Sequence, residues 1–281
     1  MSPKPDGVYL DVTFGAGGHS RAILEAAPGS KIVALDWDTE VLETYGQQLQ
    51  EEFPGRVTLL WGNFSLLYKI VKKAGIEKFD GILADFGTSQ IQITDRPGFS
   101  VYRDTPLDMR MSPAHQKTTA KQILKDASEE ELREIFWRFG GEKYTKQIAH
   151  AIVQERRIKK IETTMQLAKL VERVVPKDKR QRIHPATRIF QALRICVNKE
   201  LENITSFLSS AVKLLKPKGR LVCISFHSLE DRIVKQFFAD RAEEGVVSLL
   251  TPKVVLPSEE EISGNPSARS AKLRAVEFVK K

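Results

Sequence analysis

Apolar positions along the chain follow two different periods. Short runs at Val8–Val12, Lys31–Asp36, Val57–Trp61 and Gly81–Asp85 have strand length and are rich in Val, Ile and Leu. Between them, Ser20–Ala27, Thr39–Phe53 and Ser65–Ala74 read as helices. Strands that are apolar throughout, alternating with helices, predict a parallel sheet covered on both faces. The pattern returns late in the chain, with a helix over Leu201–Leu215 and a strand over Arg220–Phe226. Two last strands, Val246–Leu250 and Leu273–Val279, are joined by a polar stretch with no clear crossover helix, which predicts an antiparallel finish.

The middle of the chain breaks this rhythm. Residues 86–111 are polar, punctuated by Gly and Pro, and too long for a simple connector, so they read as a functional loop. Residues 118–175 read as helical, with capping-box signals at Ser128-x-x-Glu131 and Thr163-x-x-Gln166. Leu167, Leu170, Val171 and Val174 recur at helical spacing as plain core. A further helix over His184–Asn198 has an apolar face at Ile189, Leu193 and Cys196, and a hydrogen-bonding face at Thr187, Gln191, Arg194 and Asn198. That polar face either meets a ligand or ties the insertion to the main domain. The expected organisation is an α/β domain in two parts, 1–112 and 184–281, interrupted by a helical, basic domain at 113–183.

Composition adds the class of partner. The 281 residues are 41% hydrophobic and 28% charged, as in an ordinary globular protein. There is no apolar run of membrane-spanning length and no signal-peptide pattern, so the expected location is the cytoplasm. Cys196 and Cys223 are too few and too far apart for a disulfide framework or a zinc site, and no metal is expected. The net charge is +8, and between His150 and Glu200 there are thirteen Lys or Arg against five acids, a local excess equal to that of the whole chain. The loop Lys177-Asp-Lys-Arg-Gln-Arg182 adds to this field, which favours a polyanion such as nucleic acid.

The candidate chemistry gathers where the first strands end. Phe14-Gly-Ala-Gly-Gly-His-Ser20 turns from strand to helix through glycines, letting backbone N–H groups face a ligand. Asp36 closes the second strand at the spacing of a ribose-binding carboxylate. The dinucleotide fingerprint is incomplete, because Ser20 stands at the position of its third glycine. His227 ends the strand beside the expected cleft, where its imidazole serves either a substrate contact or a structural hydrogen bond. Ser228, with Asp231 three residues on, is the expected cap of the following helix.

Asp80-Gly-Ile-Leu-Ala-Asp-Phe-Gly87, Pro106-Leu-Asp-Met-Arg-Met111, His184-Pro-Ala-Thr-Arg188, Phe190-Gln-Ala-Leu-Arg194, Ser225-Phe-His-Ser-Leu-Glu-Asp-Arg232 and Asn265-Pro-x-Ala-Arg-Ser270 accompany the glycine turn. Together these strings resemble the bacterial small-subunit (16S) ribosomal RNA cytosine-N4 methyltransferase H family. The resemblance implies a class I S-adenosylmethionine-dependent methyltransferase fold: Rossmann-like, mostly parallel, with an antiparallel C-terminal pair and an inserted helical domain. It implies methyl transfer to N4 of a cytidine in the decoding region of 16S rRNA, on the RNA or on the small subunit. It carries cofactor binding onto Gly17, Gly18, His19, Asp36, Phe64, Asp85 and Gln92. Asp108 is the candidate catalytic acceptor for the amine hydrogens, with the backbone around Gly87 as the other, and Arg188, Gln191, Arg194 and His227 are candidate substrate contacts.

The chain departs from the family at Phe86, Thr88 and Gln90, and at Thr105 and Ser112 around the Pro-Leu-Asp-Met-Arg-Met string. It also lacks the family's His-x-Pro-Val segment before the first strand, an expected loss of cover for the cofactor or a truncation. No Asp/Asn-Pro-Pro-aromatic motif follows the fourth strand, so the amine target rests on the resemblance. Two other readings stay open: a nicotinamide-dependent oxidoreductase, and a non-catalytic RNA-binding or assembly protein retaining the fold.

Overall fold

The computed structural model describes residues 1–87, 96–176 and 183–279. The chain forms two compact units, Met1–Gly87 with Leu201–Lys281, and Thr88–Glu200.

The first unit is built on seven strands: β1 (Val8–Asp11), β2 (Lys31–Asp36), β3 (Val57–Trp61), β4 (Phe79–Asp85), β5 (Leu215–Ser225), β6 (Val247–Leu249) and β7 (Lys272–Phe278). Their order is β3-β2-β1-β4-β5-β7-β6. The first five pair in parallel, and β7 runs antiparallel to both β5 and β6. This is the class I S-adenosylmethionine-dependent methyltransferase sheet. Strand β2 shows why the sheet is covered twice: Ile32 and Ala34 join a core cluster with Ile23, Leu24 and Leu49, while Val33 and Leu35 join another with Leu67, Val71 and Phe207. Alternate residues on a strand point to opposite faces, so both faces need helices. Those flanking the early strands are α1 (Gly18–Ala26), α2 (Thr39–Val41 continuing through a π-helical Leu42–Gly46 into Gln47–Glu52) and α3 (Leu67–Lys73).

Strand β5 starts at Leu215, five residues before the expected Arg220. Its pairing with β4 jumps from Phe79↔Leu215 to Gly81↔Arg220, so Lys216–Gly219 form an irregularity in which Lys218 takes φ 63°. A bulge rich in Lys, Pro and Gly hides the start of a strand from any period-2 reading.

The second unit contains α4 (Ala120–Asp126), α5 (Glu129–Gly140), α6 (Thr145–Ile158), α7 (Thr164–Val174) and α8 (Thr187–Asn198). Ser128 and Glu131 form the capping box of α5, and Thr163 and Gln166 that of α7. The unit is larger than the expected 113–183, because the preceding loop packs within it. Pro106 bridges Thr163, the Thr105 N–H donates to Thr164 Oγ1 at 3.0 Å, and the Lys121 N–H donates to the Leu107 carbonyl at 2.8 Å. Leu107, Met109 and Met111 are buried with it. Helix α8 also belongs here, where it crosses α5 at Gly140. After it come α9 (Glu200–Lys213), α10 (Ser228–Glu243) and α11 (Glu259–Gly264). No helix of the described residues is long and apolar enough to cross a membrane.

The crossing of α5 and α8 depends on a missing side chain. A Cβ on Gly140 would lie 2.6 Å from the Arg188 carbonyl oxygen, and backbone cannot yield as a side-chain tip can. Gly140→Ala gains about 1 kcal/mol of helix propensity but overpacks a backbone contact at roughly 1–3 kcal/mol. The expected net result is a loss of stability, read as a lower urea midpoint at unchanged m-value.

Candidate active site

The turn after β1 is shaped by two carboxylates. Asp11 is fully buried, accepting from Ser20 Oγ at 2.8 Å and from the Thr13 N–H at 3.2 Å. Burial pushes its carboxyl above the usual range, against the pull of those hydrogen bonds. Asp36, at the end of β2, accepts the Gly15 N–H on Oδ2 and the Asp38 N–H on Oδ1, each at 3.0 Å. Burial pushes its carboxyl up to about 6, with the two N–H donors acting downward. Gly17 takes φ 78°, and a Cβ there would strike the Phe14 ring at 2.8 Å. Only glycine suits both constraints. Helix α1 therefore begins with no side-chain cap, and open space lies beside Gly18.

Asp85 faces the same turn from the end of β4. Its N–H donates to Thr13 Oγ1 at 2.7 Å, and its Oδ2 lies 3.4 Å from His19 Nε2. That contact raises the His19 pKa, more than burial lowers it. Asp85 Oδ1 is buried and has no hydrogen-bond partner, a state that costs free energy until a donor arrives. After β3, Asn63 caps a short 3-10 turn that starts with Phe64. The Phe64 ring packs at 5.9 Å from Phe86 and 5.7 Å from Phe207.

Gly17, Gly18, His19, Asp36, Phe64 and Asp85 thus meet along the carboxyl ends of β1 to β4, neighbours in the order 3-2-1-4. Gln92 lies outside the described residues, as do Lys177–Arg182. Asp11, Thr13, Phe86 and Phe207 take part without having been singled out from sequence. Asp11 carried a readable signal, an acid closing an apolar strand just before the glycines.

The remaining candidates are occupied to different degrees. His227, not Ser228, is the cap of α10: its Nδ1 accepts the Glu230 N–H, and Glu230 Oε2 accepts the N–H groups of Phe226 and His227. Asp231, expected to complete the cap, instead holds Arg274 on β7 at 2.7 and 3.0 Å. In the second unit, Asp108 binds Arg110 through two parallel hydrogen bonds of 2.7 and 2.8 Å. Burial would raise the Asp108 carboxyl, but the Arg110 hydrogen bonds and charge outweigh it and hold it below the usual range. Asp108 is therefore a hydrogen-bond acceptor and a weak base. Arg194 is held by Glu200 in the same forked manner, both bonds at 2.9 Å. Arg188 and Gln191 are half-buried on α8.

Asn198 turns out not to share an exposed polar face. It is fully buried, accepting the Met111 N–H at 2.8 Å and donating to the carbonyls of Met109 at 2.8 Å and Arg194 at 2.9 Å. It thereby clamps Met109, which takes φ 62°. Asn198→Ala would orphan the Met111 N–H and the Met109 carbonyl in the interior. At roughly 1–3 kcal/mol per orphaned group, the expected loss is about 2–6 kcal/mol in chemical denaturation. A change under about 0.5 kcal/mol, the range of ordinary surface substitutions, would contradict the clamp.

Comparison with known proteins adds the lineage. A relative in Thermomicrobium roseum named ribosomal RNA small subunit methyltransferase H is 48% identical over 296 residues, covering 99% of this chain and 90% of that protein. One of the same name in Cyanothece sp. is 49% identical over 276 residues, covering 98% and 89%. The structure of an rRNA methylase from Streptococcus thermophilus aligns with a TM-score of 0.43 at 12% identity, over 98% of this chain and 89% of that one. The family model described as MraW methylase family matches residues 1–279, and the chain belongs to that family.

Proposed function

We propose that this protein transfers a methyl group from S-adenosylmethionine to the N4 amine of a cytidine in the decoding region of 16S rRNA. One observation carries the reading: relatives named for small-subunit rRNA methylation match over 98–99% of the chain, so the likeness spans the strand-end residues, the 105–111 loop and the helical unit alike.

The residues at the strand ends fit the cofactor. Asp85 Oδ1 is a buried acceptor awaiting a donor. The uncapped start of α1 beside Gly18 leaves room and N–H groups for a carboxylate. Asp36 retains acceptor lone pairs for ribose hydroxyls beyond its two backbone bonds, and Phe64 supplies an apolar surface for a base. Gly17, His19 and Gln92 complete the assigned set. When bound, S-adenosylmethionine supplies an electrophilic methyl on a sulfonium.

What the protein must add is orientation. The lone pair of a cytosine amine is delocalised into the ring, so the amine reacts only when held in line with its hydrogens accepted. Asp108, fixed by Arg110, serves as that acceptor. Its low basicity suits the task, because the methylated cationic amine is acidic and releases its proton readily. Arg188 and Gln191 contact the RNA, whereas Arg194 contributes by tying α8 to the start of α9 and His227 by capping α10.

Small subunits from cells lacking the protein, incubated with it and with methyl-labelled S-adenosylmethionine, should gain N4-methylcytidine at a single 16S position, mapped by nuclease digestion and mass spectrometry. Label on another atom, or RNA binding without label, would overturn the reading; the second outcome would favour a non-catalytic assembly protein.

Asp36 also predicts a pH dependence. Ribose hydroxyls favour the ionised carboxylate, so binding shifts a carboxyl that sits at about 6 in the free protein downward and releases a proton. Affinity for S-adenosylmethionine, measured by calorimetry, should be flat above that pH and fall about tenfold per unit below it. Asp36→Asn should bind more weakly and lose this dependence. In the free fold the sign is opposite: a raised carboxyl stabilises most when protonated, and that contribution declines as pH climbs from the ordinary carboxylate range to about 6.

A further inference from the structure

Residues between Glu155 and Pro176, together with Pro185, line a groove of about 920 Å3 within the Thr88–Glu200 unit. Lys159 and Lys160, just after α6, line it together with Lys169 and Arg173 of α7. Two carboxylates line it as well, and both are engaged: Glu155 lies 3.2 Å from Arg173 Nη2, and Glu172 lies 3.0 Å from His184 Nε2. Among the described residues, no carboxylate lies within ion-pair distance of Lys159, Lys160 or Lys169. Lys160 also feels the charge of Glu162, but Lys121 already pairs with that carboxylate at 2.7 Å, so the groove keeps a net positive field that attracts a polyanion.

A second observation specifies which polyanion. Tyr102 is 73% exposed, and its ring meets that of His184 edge-on, at 5.6 Å and 87°. His184 holds Glu172 and precedes Pro185, both of which line the groove, so Tyr102 stands at its rim. That contact holds the ring at one place while most of its surface stays open to solvent. An open aromatic ring beside a basic groove is how proteins hold unpaired nucleotides, whose bases are free to stack; a duplex offers no such face. An acidic peptide would satisfy the lysines but would leave Tyr102 without a role.

The geometry points to this groove as the seat of a single-stranded stretch of the RNA substrate, with phosphates on Lys159, Lys160 and Lys169 and one base stacked on Tyr102. The inference rests on the RNA-methyltransferase reading above and names the strand form and the contacts.

The test uses the full chain and three fluorescent probes: a 12-nucleotide single-stranded RNA, the same sequence in a duplex, and a poly-glutamate peptide. Replacing Lys159, Lys160 and Lys169 together with Gln should weaken single-strand binding and reduce its log–log salt slope by about 2, at roughly 0.7 per phosphate contact. Tyr102→Ala should cost roughly ten- to a hundredfold in affinity, and Tyr102→Phe almost nothing, because stacking needs the ring and not the hydroxyl. Affinity for S-adenosylmethionine and the melting temperature, measured on the same preparations, should not move. An unaltered salt slope, equal losses for Phe and Ala at position 102, or equal dependence of duplex or poly-glutamate binding on these residues would each overturn the proposal. Methylation of small subunits by the unaltered protein is assayed alongside. If it occurs while the variants bind RNA normally, only the groove assignment fails; if it does not occur while the variants lose RNA binding, the groove stands and the methyl-transfer reading fails.

Discussion

Asp36 joins two consecutive loops of the sheet through one side chain. Its carboxylate, buried at the end of β2, takes an N–H from the glycine turn after β1 and another from its own loop. Parallel neighbours in register bring these loops side by side, but register alone does not fix a turn of flexible glycines. The hydrogen bond to Gly15 fixes it, and with it the start of α1 and the open space beside Gly18. Asp85 and Thr13 repeat the device on the other side of β1. The strand-end turn is thus held by buried polar groups, and Asp36 illustrates the tension: burial works against its charge while the turn depends on its lone pairs.

A similar economy governs the helical unit. Asn198, Glu200 and Thr164 are all buried polar side chains, and those whose partners are described each tie a loop or helix end to the unit. Asn198 reaches back to residues 87 and 89 positions earlier and holds a methionine in a left-handed conformation. Arg110 sits between the two clamped backbone groups and Asp108 directly precedes them, so the orientation of the pair follows from Asn198.

The parts of this architecture legible from sequence are those that local periodicity or short-range spacing encodes. Strand β2 ending in Asp36, the glycine turn and both capping boxes depend on residues a few positions apart, and these were readable. The strand pattern also put Phe64 and Asp85 at the carboxyl ends of the third and fourth strands, and the family resemblance gave them a role there. What escaped was long-range partnership. Asn198 looked like one more polar residue on a helix face because its partners lie in a distant loop. His227 took the capping role expected of Ser228 because Glu230, not Asp231, reaches back; Asp231 was claimed by Arg274, forty-three residues on. The early start of β5 was masked by Lys, Pro and Gly in a bulge that only the neighbouring strand explains.

Strands β4 and β5 are hydrogen-bonded neighbours, Ile82 opposite Leu221, although the whole of Thr88–Glu200 separates them along the chain. Closing a disordered loop of that length would cost entropy before any contact repaid it, and pairings of such high contact order fold slowly. An insertion that is itself a compact unit changes the problem, since its own internal contacts repay the ordering of most of that length. During synthesis it emerges entirely before β5, and β7, which lies between β5 and β6, emerges last of all strands. The sheet therefore stays unfinished, with an exposed β4 edge, until the helical unit has been made, and for that interval the growing chain carries an edge open to pairing with the wrong partner.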